Sequence, residues 1–196
     1  MRRPFMNSPE QLASLDGQQY LVLRATGPVA EEYDRTQAAL LTGSAAGLPH
    51  PHTGHVTLRG FFEPERRPAL LAEIRSWAAV QPAIDVEVEA VDTFPAPWQI
   101  VIHRLTRTSS LVAAYSSLTR ALDTTDFRRL GELSVDEWTF HMSLVYAKTL
   151  DPDAWAALEL AVQHPVAPRP RIVADELEFV WYEAGVEHSE VIPFAG

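Results

Sequence analysis

Apolar and polar residues alternate or recur along this chain in a way that divides it into short elements. Gln19 to Ala25 (QYLVLRA) reads as a buried strand, broken by Gly27-Pro28. Val29 to Leu41 places apolar residues at Val29, Tyr33, Leu40 and Leu41 behind Glu31 and Glu32, as suits a helix beginning after Pro28. Gly43 to Gly54 (GSAAGLPHPHTG) is loop and leads into a strand from His55 to Arg59, closed by Gly60 and Pro64. Pro68 to Val80 has an amphipathic helical pattern, with Leu70, Leu71, Ile74, Trp77 and Ala78 on its inner side. Ile84 to Val91 (IDVEVEAV) alternates apolar and acidic residues, which predicts a strand with one wet face; its acids should point away from any anion site. After the turn Phe94-Pro95-Ala96-Pro97, Trp98 to Leu105 returns as the second arm of a hairpin.

A second long helix is expected over Ser109 to Leu122, then a polar connection from Asp123 to Asp136. Trp138 to Ala147 forms the next strand, and Asp151 caps a helix opened by Pro152 that runs to about Gln163. Beyond the proline-rich Pro165 to Pro170, Arg171 to Trp181 reads as one strand, and Ser189 to Phe194 returns as the last. The first ten residues, polar and containing Pro4 and Pro9, are expected to lie loose, with Pro9-Glu10-Gln11-Leu12 able to start a helical turn. The order of elements, roughly repeated in two halves, suggests a duplicated unit.

Composition narrows what the chain can be. With 196 residues, 46% hydrophobic and 21% charged, it suits one domain or two small lobes with a real core. Sixteen Lys+Arg against 26 Asp+Glu give a net charge of −10, which argues against binding long nucleic acid through the overall field but leaves room for a nucleotide or RNA end in a locally positive pocket. With Cys 0, there is no disulfide, thiolate metal site or Cys nucleophile. No apolar run is long enough to span a bilayer and the start lacks a signal-peptide core, so the expected location is cytoplasmic.

The chemistry concentrates in two strands. His55-Val56-Thr57-Leu58 and His141-Met142-Ser143-Leu144 each carry a histidine, a hydroxyl residue two places on, and then Leu. In a strand the side-chain period is two, so His55 and Thr57 share one face, and so do His141 and Ser143. Each pair offers an imidazole that moves protons near neutral pH beside a hydroxyl that can donate to an anionic oxygen. If its strand stays regular, Arg59 lies on the same face as His55 and Thr57 and is a candidate phosphate partner. Trp98, Tyr146, Trp181 and Tyr182 are the aromatics available to stack on a base, with Tyr146 and Trp181 the preferred candidates.

Two such motifs are what the 2H (two-histidine) phosphoesterases share, and the chain resembles that superfamily, which includes the 2′-5′ RNA ligase-like proteins and RNA cyclic phosphodiesterases. The resemblance implies an α+β, bilobal, duplicated fold. Two antiparallel sheets flanked by helices would form a single domain over residues 1–196, with two pseudo-symmetric lobes and both motifs lining a central cleft. It further implies His55 and His141 as the catalytic pair and Thr57 and Ser143 as phosphate-binding residues. The expected activity is metal-independent hydrolysis of a 2′,3′-cyclic phosphate on a nucleotide or RNA end, with no cofactor. Two readings stand beside it: a ligase-like or non-catalytic nucleotide-binding protein of the same fold, and a metallohydrolase using His50, His52 and His55 (PHPHTGH).

Overall fold

A computed structural model describes residues 2–195. Two antiparallel sheets, each carrying one motif, meet at their motif strands. The elements in chain order are α1 (Pro9–Ser14), β1 (Gln19–Arg24), α2 (Gly27–Thr42), β2 (His55–Phe61), α3 (Arg67–Ala78), β3 (Ile84–Phe94) and β4 (Ile100–Leu105). They continue with α4 (Ser109–Leu122), β5 (Arg129–Leu130), β6 (His141–Tyr146), α5 (Pro152–Val162), β7 (His164–Pro165), β8 (Arg171–Ala174), β9 (Glu176–Glu183) and β10 (Val186–Pro193). The first sheet has the order β10-β9-β1-β2-β5 and the second β6-β4-β3-β7, with β8 also paired to β3. This is the α+β architecture that the resemblance implies.

Helices α4 and α5 start where their caps dictate. Asp151 accepts from the backbone N–H of Ala154 with Pro152 at the first helical position, and Thr108 caps α4 by accepting from Leu111. Helix α2 follows β1 in sequence but packs on the second sheet, against β6, β8 and β3, while α4 packs on β3 and α3. The two lobes are therefore interlocked. Strands near the chain ends, the first motif strand and the short β5 build one sheet, and the other strands from the middle of the chain build the second. The buried apolar faces form one continuous core from Leu21 and Leu58 on one side to Val101 and Leu144 on the other.

Three expectations are corrected. The stretch Arg171 to Trp181 is two strands, β8 on the second sheet and β9 on the first, divided at Asp175. Its alternation is masked because β9 lies between β10 and β1 and is covered on both faces, so Leu177, Glu178, Phe179 and Val180 are all buried. The connection Asp123 to Asp136 contains β5, which pairs with Gly60 and Phe61. The amino-terminal residues do not lie loose: Phe5 is 1% exposed, and with Met6 it packs on Val22, Val180 and Tyr182.

Candidate functional site

Where the two sheets approach, β5 pairs only with Gly60 and Phe61, so the His55 end of β2 lies beside β6 rather than in a ladder on that side. Both motif strands carry a β-bulge at the same place. Leu21 pairs with Arg59 but its neighbour Val22 pairs with Thr57, so Leu58 is the extra residue. In the second sheet Val101 pairs with Val145 and Ile102 with Ser143, so the extra residue is Leu144. A bulge adds one residue to one strand and reverses which face the following side chains take.

The bulge after Thr57 decides the fate of Arg59. Opposite residues of an antiparallel pair point to the same face, and Arg59 sits opposite the core residue Leu21, whereas Thr57 sits opposite Val22 on the cleft side. Arg59 is consequently 1% exposed, ion-paired with Glu132, donating to Tyr115 Oη at 3.2 Å and Thr119 Oγ1 at 2.7 Å, with its guanidinium over the Tyr115 ring. The expected phosphate partner is a structural arginine turned away from the cleft. Trp181 is likewise turned away: it alternates with the cleft-facing Val180 and Tyr182, stacks on His188 at 5.2 Å and lies under Arg67. Trp98 is 59% exposed in the turn before β4.

What the structure brings together is a cavity of about 150 Å³ lined by His55, Thr57, Ser143, Tyr146, Tyr20 and Tyr182, with Phe5, Met6 and Leu15 on the amino-terminal side. His141 is not one of the lining residues; it shares its side of β6 with Ser143, which is, and its ring is edge-on to Phe94 at 4.7 Å. The two histidines are held alike. His55 Nδ1 meets Thr53 O at 3.0 Å and His141 Nδ1 meets Thr139 O at 2.8 Å. A carbonyl only accepts, so Nδ1 carries the proton in each ring, and Nε2 is left as the basic nitrogen. Both motifs thus extend two residues upstream as Thr-x-His-x-Thr/Ser, a symmetry present in the sequence that supplies the anchoring carbonyls.

Burial holds both imidazoles below their ordinary pKa, opposed by these carbonyl bonds, and at His55 also by Glu187. A protonated His141 further disfavours a proton on His55. The doubly protonated pair is therefore disfavoured. Burial also pushes the Tyr146 phenol up to about 12, so it remains a hydrogen-bond donor at neutral pH.

Helix α2 ties the two motifs to each other. The Tyr33 hydroxyl donates to Ser143 O at 2.9 Å, and Gln37 Nε2 donates to Leu144 O at 2.9 Å and Pro51 O at 3.0 Å, giving partners to carbonyls at the second bulge. Tyr33 can reach there because Gly54 has no side chain: a Cβ at Gly54 would lie 2.7 Å from the Tyr33 ring. The residue just before His55 is thereby fitted to a helix that supports the other motif.

The histidine-rich loop does not form a ligand set. Among the described residues no three His, Asp or Glu side chains group as metal ligands, and His50 turns its Nδ1 to Leu48 O at 3.1 Å. The acids of β3 are half-buried and paired rather than simply solvated: Glu87 with Arg169 at 3.4 Å, Glu89 with Arg104 at 3.2 Å, and Asp85 with Arg171. None of them lines the cavity.

Comparison with known proteins gives a family match and a set of solved structures of similar fold. The chain matches the model of the 2′-5′ RNA ligase superfamily over residues 28–186. Among solved structures it is similar to TT0787 of Thermus thermophilus, with 16% identity, a TM-score of 0.67, and 91% of this chain and 98% of that one covered. It is also similar to E. coli LigT complexed with 3′-AMP, at 11% identity and a TM-score of 0.61, covering 90% and 95% of the two chains. Usb1 of Kluyveromyces marxianus, bound to uridine monophosphate, aligns at 12% identity and a TM-score of 0.51 over 92% of this chain and all of its own. These likenesses show the shared fold. No curated protein sequence matches.

Proposed function

This chain belongs to the 2′-5′ RNA ligase superfamily, and on that premise we propose that it is a metal-independent phosphodiesterase that opens a 2′,3′-cyclic phosphate on a nucleotide or RNA end. The observation that carries this reading is the doubled arrangement of His55/Thr57 and His141/Ser143 on adjoining strands, each histidine anchored through Nδ1 to the carbonyl two residues before it. That E. coli LigT and Usb1 have been captured with nucleotides fits a nucleotide-type substrate for this fold.

The chemistry follows from the groups present. Opening a cyclic phosphodiester requires one base to take a proton from the attacking water and one acid to give a proton to the departing ribose oxygen. A neutral ring and a protonated ring on two facing strands meet both needs, and each works through Nε2 because Nδ1 is committed to a carbonyl. Thr57, Ser143 and Tyr146 provide hydroxyl donors where charge builds on the non-bridging oxygens. Among the described residues no arginine lines the cavity, so the phosphate is bound by neutral donors and by the charged imidazole.

The test is hydrolysis of a 2′,3′-cyclic nucleotide followed by phosphorus NMR, with and without chelator. One monoester regioisomer, formed at the same rate in both, is the expected result. Loss of activity with chelator and its return with zinc would instead favour the histidine-loop metallohydrolase, and no turnover with tight ligand binding would favour a binding protein.

A further inference from the structure

Each histidine has a phenylalanine at nearly the same distance, tilted by 60° at His55 and perpendicular at His141, but the two differ in origin. Phe94, which packs on His141, comes from β3 of the same sheet, whereas Phe5, at 4.6 Å from the His55 ring, comes from the amino-terminal segment outside the residues that match the family. That segment is latched at several points. Glu187, with only 3% of its side chain exposed, accepts from the backbone N–H of Phe5 at 2.9 Å and of Met6 at 2.9 Å, and from Arg2 at 2.9 Å. Pro4 O accepts from Thr53 Oγ1 at 2.8 Å and Phe5 O from the His52 N–H at 2.7 Å. The guanidinium groups of Arg24 and Arg2 lie 4.1 and 4.9 Å from the Phe5 ring centroid, both also bound to Glu178.

Accepting the phosphodiesterase reading, we propose that Phe5 is a positioning residue of the active site: the latched amino-terminal segment presses it against His55 and fixes and shields that ring, as Phe94 does for His141. Thr53 is the hinge of the arrangement. Its carbonyl accepts from His55 Nδ1 while its hydroxyl binds Pro4 O, so one residue registers the segment and the histidine together. A segment serving only to fill space would not need a buried carboxylate gripping two consecutive backbone amides beside the residue that touches the histidine.

Several groups near His55 carry charge or can acquire it: Arg24 on β1, His141 and Tyr146 on β6, Glu187 on β10, Tyr20 and Tyr182 lining the cavity, and Arg2 and Glu178 one layer out. Phe5→Ala leaves all of them in the chain, so its effect isolates the loss of the ring. With its shield gone, His55 regains water and its titration midpoint moves up toward the ordinary value of about 6.5, with His141 unmoved. Phe94→Ala produces the reverse pattern.

The experiment is NMR titration of the imidazole carbons in the full chain and in Phe5→Ala, Phe5→Leu, Phe94→Ala and a variant lacking residues 2–6, each checked for folding by circular dichroism. It is paired with kcat and KM on a 2′,3′-cyclic nucleotide. The expected outcome is a raised His55 midpoint in Phe5→Ala and in the shortened chain, and a value close to wild type in Phe5→Leu. Turnover in Phe5→Ala falls about tenfold or more, with KM changed less than about threefold. A His55 midpoint unchanged by loss of Phe5, or both histidines moving together in every variant, overturns the proposal. Absence of turnover in the wild type with the selective shifts intact rejects the phosphodiesterase reading while retaining Phe5's hold on His55.

Discussion

Leu58 and Leu144 are counterparts: each is the residue skipped by the register of its strand pair, and each directly follows the hydroxyl residue of its motif. Both side chains are 0% exposed in the common core. The apolar fourth position of the motif therefore has a physical task. It fills the core at the bulge, and the bulge sends the next residue, Arg59 or Val145, into the core as well, so that the cleft receives the histidine, the hydroxyl and then, in the second strand, Tyr146.

The coupling of Gly54 to Ser143 through Tyr33 gives a direct expectation. Gly54→Ala places a methyl group within 2.8 Å of ring atoms of Tyr33. The ring must shift, and its hydrogen bond to Ser143 O lengthens or breaks. A stability loss of about 1–3 kcal/mol is expected in urea unfolding. Turnover should also fall, although the substitution is in neither histidine nor hydroxyl. Tyr33→Phe, which removes the same bond without the clash, should cost roughly 1 kcal/mol.

Arg59 should behave as part of the core. Arg59→Ala takes the cation from Tyr115 and leaves Glu132 paired with Arg129 alone, and is expected to destabilise by about 3 kcal/mol, the low end for a buried pair because Glu132 keeps that second partner and 22% of its side chain exposed. Substrate KM in the variant should stay near wild type. A KM raised more than about tenfold in a fully folded Arg59→Ala protein would place the arginine at the phosphate after all.

His103 predicts the acid sensitivity of the fold. It is 0% exposed, neither ring nitrogen has a hydrogen-bond partner among the described residues, and burial holds its pKa down to about 4. Because the folded value lies below the unfolded value near 6.5, the unfolded chain binds more protons between these limits, and stability falls as pH drops through that window. At pH 5 this group alone should cost about 2 kcal/mol relative to pH 7.5. His55 and His141, also lowered by burial, act in the same direction. His103→Leu should flatten the dependence and be neutral or stabilising at neutral pH, since no partner is orphaned. Urea midpoints at the two pH values measure it.

The helices, the motif strands and the His55/Thr57 and His141/Ser143 pairs are legible in the sequence because period-two and period-3.6 patterns are local. Helix α4 begins and ends at Ser109 and Leu122 as its pattern indicates. The errors share a cause in tertiary context. Continuing the alternation across Leu58 assigns Arg59 to the cleft, and nothing local marks that bulge. Trp181 and Tyr182 look equivalent as aromatics, yet the pairing of β9 with β1 sends them to opposite faces. Phe5 is unreadable because its partners are distant in sequence: Glu187 reaches it across 182 residues. Of the signals missed, only the repeated Thr at positions 53 and 139, two residues before each histidine, is visible locally.

The central claim is that the two histidines act as one acid–base unit on a cyclic phosphodiester. It is tested most directly by kcat on a 2′,3′-cyclic nucleotide for wild type, His55→Ala, His141→Ala and the double variant. Each single substitution should lower kcat by about 10²–10⁴, and the double variant should be little worse than either single one. Thr57→Val and Ser143→Ala, which leave both rings in place, should each lose less. Full activity in either single histidine variant would contradict the account.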